Sequence, residues 1–197
     1  MLERARVAVF VSGGGTNLQA MLDADMPSAE IALVISRKPE AFALERARKA
    51  NIPALAIAEK RAAFEAQTLG ALTAHHIHVV VLAGFLTIFS AEFVARYPNR
   101  IVNVHPALIP AFSGKGFYGL RVHEAVLARG VQVTGATVHL VNEIPDGGPI
   151  LLQRAVDVLP GDTPETLQRR VMEQAEWILL PRAVEMICRR VVEEETA

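Results

Sequence analysis

Cysteine is almost missing from this chain of 197 residues: Cys188 stands alone, so no internal disulfide can form and a reducing, cytoplasmic setting is expected. Its neighbours AVEMICRRVV read as a helix, where a lone thiol packs rather than reacts. Excess charge is missing as well. Twenty Lys and Arg against 21 Asp and Glu leave a formal net charge of −1, with no basic stripe interleaved with aromatics, so no nucleic-acid partner is expected. No apolar run reaches the roughly 20 residues of a membrane span. The longest, IHVVVLAGFLTIF, contains Gly84 and Thr87, and no membrane partner is expected. The start MLERARVAVFV superficially resembles a secretory signal, yet it runs into a glycine turn without a small-residue cleavage site. Internal repeats, low-complexity tracts and linkers are absent. So are a Gly-Lys-Ser/Thr phosphate loop and a G-x-S-x-G nucleophile elbow.

What is present is apolar material: 51% hydrophobic residues, enough for the core of a single domain over residues 1–197. Short β-branched runs (RVAVFV, IALVISR, IPALAIA, HVVVLA, RIVNVH) alternate with segments of helical period (TNLQAMLDA, AFALERARKA, RAAFEAQTLGALTAH, AEFVARY). That rhythm predicts an α/β fold, Rossmann-like, with a mostly parallel twisted sheet and helices on both faces. After residue 105 the pattern changes. A Gly- and Pro-rich loop precedes a helix RVHEAVLARG that ends at Gly130. VQVTGATVHLVNE and PILLQRAVDV, joined by IPDGG, then predict a hairpin and a C-terminal antiparallel addition to the sheet. The end reads as a long helix with Thr163 as N-cap, Pro164 in its first turn, and Pro181 kinking or dividing it. The EEETA tail is expected to fray.

Three places carry chemistry. SGGGTN (residues 12–17) lies between the first strand and the first helix, where backbone N–H groups and the helix dipole favour an anion. Leu18 replaces the third glycine of a dinucleotide fingerprint and no ribose-binding acid ends the next strand. A single phosphate on Gly14, Gly15, Thr16 and Asn17 fits better; the alternative is a bare turn. Next, Asn103 and His105 alternate at the end of IVNVH and so share one face of a strand that Pro106 terminates. A carboxamide beside an imidazole suits acyl or formyl transfer, the first donating to an oxyanion and the second moving a proton. The alternative is a structural Asn and a core histidine. Third, Asp146 in NEIPDGGPI sits on a loop, as an Asx turn or as a carboxylate reaching His105 and raising its pKa. His139 and Thr137 share a face and read as packing or hydrogen-bonding residues. His75, His76 and His78 read as a turn rather than a metal site. His123 lies on a helix beside the long loop.

SGGGTNLQA, VLAGFLTIF, NVHPALIPAF, TGATVHLV, DGGPILLQ and GDTPETL, in this order, resemble the folate-dependent formyltransferases, specifically their glycinamide ribonucleotide branch. The resemblance covers nearly the whole chain and implies a formyltransferase fold. Its nucleotide-phosphate half would run to about residue 100, and its folate and catalytic half from about 101. It implies that small-molecule substrates, 10-formyltetrahydrofolate as co-substrate and 5'-phosphoribosylglycinamide as acceptor, are used without a metal. A monomer or homodimer is expected. It implies Asn103 as oxyanion holder, His105 as general acid, and Asp146 as the group that elevates the His105 pKa. Leu86, Thr87, Ile88 and Phe89 would line the pterin pocket, closed by the backbone of Asn142, Glu143, Ile144, Pro145 and Asp146. Arg61 would meet the folate tail. Glu176 or Glu173 would meet the glycinamide amine, because the C-terminal helix carries one residue more than the pattern. The pattern commonly has a basic residue where Thr87 stands, so one tail contact is expected to be weaker. The loop FSGKGFYGLRVHE is about five residues longer than the common one. Related tRNA-directed formyltransferases and formyltetrahydrofolate hydrolases are expected to carry further domains that this sequence does not supply.

Overall fold

The computed structural model describes residues 2–196. Along the chain come β1 (Ala5–Val11), α1 (Thr16–Asp23), β2 (Ala29–Ser36), α2 (Phe42–Lys49), β3 (Ala54–Ala56), α3 (Arg61–Ala74) and β4 (Val79–Ala83). They are followed by α4 (Ala91–Ala95), β5 (Ile101–His105), α5 (Leu120–Arg129), β6 (Val133–Leu140), β7 (Ile150–Asp157) and α6 (Pro164–Val171). A π-helical turn (Met172–Glu176) then leads into α7 (Trp177–Thr196). The strands form one seven-stranded sheet in the order β3-β2-β1-β4-β5-β6-β7. The first five are parallel, whereas β6 runs antiparallel to β5 and β7 antiparallel to β6, as the two long β runs predicted. Residues 141–149 connect them, so the hairpin ends in a loop rather than a tight turn.

Strand β1 shows why the parallel part is apolar throughout. Val7, Val9 and Val11 enter the core on the face covered by α1, α2 and α7, while Ala8 and Phe10 enter the core on the other face. Phe10 meets Phe85 and Phe89 edge-on, and Phe64 and Phe93 extend the aromatic cluster. Phe85 and Phe89 thereby anchor the loop after β4 and leave the side chains between them at the surface. Strand order reverses between β1 and β4, the switch point at whose carboxyl edge open α/β sheets bind ligands.

Thr163 caps α6 with its hydroxyl on the Thr166 amide, and Pro164 occupies the first turn. Two expectations about the C-terminus are corrected. Pro181 does not divide the helix; α7 runs through it, and the irregularity lies upstream at Met172–Glu176. A π turn holds one more residue than an α turn. Nor does the tail fray before Thr196. Arg100 pairs with Glu194 and Glu195, and the Thr196 hydroxyl bonds the Val192 carbonyl; Ala197 lies outside the described residues. Cys188 is buried within α7, and that burial pushes its thiol up to about 12. Among the described residues no helix is long and apolar enough to cross a membrane. The three neighbouring histidines diverge: His75 caps α3, His76 turns with φ 52°, and His78 accepts the Arg6 amide at Nδ1.

Candidate active site

The glycine turn leaves β1 at the switch point. Gly15 adopts φ 72° as N-cap of α1, and the first intrahelical bond runs from the Gln19 amide to its carbonyl. The amides that open α1 therefore have no intrahelical acceptor and point out of the helix end. Helix α2 holds the turn in place: the Ala43 amide donates to the Gly13 carbonyl (3.0 Å) and Arg46 Nε to the Gly14 carbonyl (2.8 Å). A Cβ on Gly15 would lie 2.5 Å from Ala43 Cβ. We expect Gly15→Ala to lose about 2 kcal/mol of stability through the left-handed φ and this clash, read as a lower urea midpoint at unchanged slope.

Behind this turn lies a buried polar pair. Asn17 Nδ2 donates to Glu176 Oε2 at 2.7 Å, and Asn17 Oδ1 has no protein partner. Burial pushes the Glu176 carboxyl up to about 7, with the Asn17 bond opposing it. The π turn aims Glu176 inward, whereas Glu173 faces solvent and pairs with Arg169 at 2.7 Å. Of the two expected glutamates, the structure brings only Glu176 to the glycine turn. Thr16 is exposed, its hydroxyl 3.9 Å from Met172 sulfur.

Asn103 and His105 leave the carboxyl end of β5 on one face, opposite His139 and Thr137 of β6. Asn103 Nδ2 and His139 Nε2 are 3.0 Å apart, and His139 Nδ1 lies 2.8 Å from the Leu140 carbonyl. A carbonyl only accepts, so His139 carries its proton on Nδ1 and its Nε2 receives one of the two Asn103 amide hydrogens. The other stays free. By the same reasoning His105 carries a proton on Nε2, donated to the Phe112 carbonyl at 2.8 Å. Its Nδ1 faces Asp146 Oδ2 at 3.5 Å, while Asp146 Oδ1 lies 3.6 Å from His139 Nε2. Asp146 thus stands between two imidazoles, turned there by a positive φ of 55°. It forms no Asx turn; its Oδ2 accepts the Gly114 amide at 2.8 Å and ties down the long loop. Burial acts to raise the Asp146 pKa, but its neighbours, the Gly114 amide donor among them, hold it below the ordinary carboxylate range.

Asp146 acts to raise the His105 pKa, as expected, yet the net shift is downward. Burial lowers it more than Asp146 and the Phe112 carbonyl raise it, so the resting imidazole is neutral. His123 lies wholly buried beneath the site with both ring nitrogens unpartnered, and burial, then His105, pushes it down to about 4.

An apolar cleft opens on Asn103, His139 and Asp146. Leu86, Thr87, Ile88 and Phe89 line one side, and Asn142, Ile144 and Pro145 the other. Leu86 and Ile88 are more than half exposed, which for large apolar side chains marks a surface awaiting a partner. Glu143, on the same loop between Asn142 and Ile144, is exposed. His105 stands behind Asp146 rather than on the wall. Arg61 begins α3 with its side chain largely exposed, 3.6 Å from Glu65, which accepts the Ser90 amide at the end of the cleft loop. His139, expected to pack or to hydrogen-bond, bonds through both ring nitrogens. Its signal was available, since a T-x-H alternation facing N-x-H across an antiparallel pair stacks four polar groups in an apolar sheet.

A sheet of this order, with an amide, two imidazoles and a carboxylate at one end of an apolar cleft, has the groups that acyl transfer uses. The formyl transferase family model matches residues 5–184, and the chain belongs to that family. Within it, the chain resembles the phosphoribosylglycinamide formyltransferases. It is 40% identical to the crystal structure of glycinamide ribonucleotide transformylase 1 from Symbiobacterium toebii, with a TM-score of 0.87 over 96% of this chain and 90% of that one. It is 39% identical to the chloroplastic phosphoribosylglycinamide formyltransferase of Arabidopsis thaliana, covering 94% of this chain and 66% of that protein. It is also 44% identical to the trifunctional purine biosynthetic protein adenosine-3 of Bos taurus, covering 94% of this chain and 18% of that protein. The chain thus spans less than a fifth of the trifunctional relative and about two thirds of the chloroplastic one.

Proposed function

We propose that this chain transfers the formyl group of 10-formyltetrahydrofolate to the amine of 5'-phosphoribosylglycinamide, a step of de novo purine biosynthesis, by direct attack through a tetrahedral intermediate. The observation that carries this reading is the Asn103–His139–Asp146–His105 cluster at the inner end of the apolar cleft. The glycine turn and Glu176 stand on the same edge of the sheet. The cleft takes the flat pterin, and the α1 amides take the phosphate. Glu176 receives the glycinamide amine. As that amine attacks the formyl carbon, the carbonyl oxygen becomes an oxyanion and accepts the free Asn103 hydrogen. The proton lost by the amine ends on the leaving folate nitrogen. It passes through Asp146 and His105, whose Nδ1 is the one ring position open to it; the imidazolium is then paired with the carboxylate.

The test is formyl transfer from 10-formyltetrahydrofolate with and without the ribonucleotide. Donor consumption should require the ribonucleotide and yield its formylated product. Equal consumption without it would mean hydrolysis and sink the reading. A second expected result concerns the glycine turn. The ribonucleotide should slow hydrogen exchange at the amides of residues 14–17, and protection confined to other segments would move the phosphate elsewhere.

A further inference from the structure

We infer that Arg37 is the residue that recognises the carboxylate tail of the folate donor; this rests on the function proposed above and adds a specificity residue to it. Arg37 follows directly on the carboxyl end of β2, and so emerges on the ligand edge of the sheet. Its Nη1 donates to Thr87 Oγ1 at 3.3 Å and its Nη2 to the Glu59 carbonyl at 2.8 Å. The guanidinium lies 5.1 Å over the Phe64 ring, and its Nε is buried with no protein partner. Among the described residues no carboxylate pairs with it.

A guanidinium carries five N–H donors, and only two are used here. Thr87, which has no charge of its own, is part of the cleft wall, and its hydroxyl accepts a hydrogen bond from Arg37. A cleft that is apolar along its walls and has an uncompensated cation bonded to one of its wall residues suits a ligand with an aromatic body and an anionic end. The donor has that form, a pterin and benzoyl group ending in glutamate. Arg61, the cation expected to meet the folate tail, already has Glu65 beside it. Arg37 has no such neighbour, and its ring stacking and two bonds hold the fork in one orientation, as bidentate carboxylate recognition requires.

The experiment compares initial rates with 10-formyltetrahydrofolate and with its glutamate dimethyl ester, whose tail is neutral, in the wild type, Arg37→Gln and Arg37→Lys. The wild type should prefer the acid, and Arg37→Gln should raise KM for the acid about tenfold, the worth of one charge-assisted carboxylate contact, while handling acid and ester alike. Arg37→Lys should recover part of the preference. Because acid and ester are compared within each variant, a general loosening of the cleft loop would affect both and leave their ratio intact. An acid-to-ester ratio in Arg37→Gln equal to that of the wild type would overturn the assignment. Absence of turnover by the wild type with either donor would overturn this inference together with the proposed function, whereas normal turnover with an unchanged ratio would overturn this inference alone.

Discussion

Asn103→Ala is expected to cut kcat on the order of 100-fold or more, the usual consequence of removing one preorganised oxyanion donor. His139 fixes the carboxamide by accepting one of its hydrogens at 3.0 Å, so the other hydrogen points into the cleft without reorganisation during the reaction. Alanine removes both bonds and leaves His139 Nε2 facing Asp146 alone. His105→Ala should cost a similar factor by a different route, since it deletes the ring that Asp146 and the Phe112 carbonyl hold between them. Initial rates at saturating substrates measure both effects, and thermal unfolding checks that the variants remain folded. Turnover close to that of the wild type in either folded variant would discard the assigned chemistry.

Glu176→Gln should make the free protein more stable at pH 8 and a poorer enzyme at the same time. The Glu176 carboxyl is held near 7, well above its ordinary 4.5, because the ionised form is buried beside a single amide donor. A folded pKa raised above the unfolded one means that its protonated form favours folding. That contribution is complete below about pH 4.5 and is lost as pH rises through 7. At pH 8 the wild type therefore carries a buried carboxylate that costs on the order of 3 kcal/mol relative to the protonated state, and glutamine removes that cost. Urea unfolding at pH 5 and pH 8 reads it: the gain in the variant should grow with pH. A gain independent of pH would show that Glu176 does not titrate as described. Activity should move the other way, with KM for the ribonucleotide rising at least about tenfold as the charge opposite its amine disappears. On the proposed function this cost is offset when the neutral substrate amine donates a hydrogen bond to the carboxylate.

The alternation of apolar runs and helical segments was enough to give the α/β class, the five parallel strands and the antiparallel addition. Those features follow from periodicity within a dozen residues, which the chain carries locally. The glycine turn and the N-x-H alternation were legible for the same reason, since a turn and a strand face are local geometry. The choice of Glu176 over Glu173 was not legible, because it depends on a π turn that rotates one carboxylate inward and leaves the other with Arg169.

The remaining decisions belong to contacts between residues far apart in the chain. Asn103 and His139 are 36 positions apart, Arg37 and Thr87 are 50, and Asn17 and Glu176 are 159. No local pattern encodes such meetings; the order of strands in the sheet creates them. The sign of the His105 shift depends on tertiary structure for a further reason. A neighbouring carboxylate argues for imidazolium, but how much water the folded protein excludes from the ring sets the opposing effect, and here exclusion wins. Sequence alone thus determined the class of fold and the kinds of groups available for chemistry. Tertiary structure decided which of them meet and in which protonation state, because both depend on burial and on distances across the sheet.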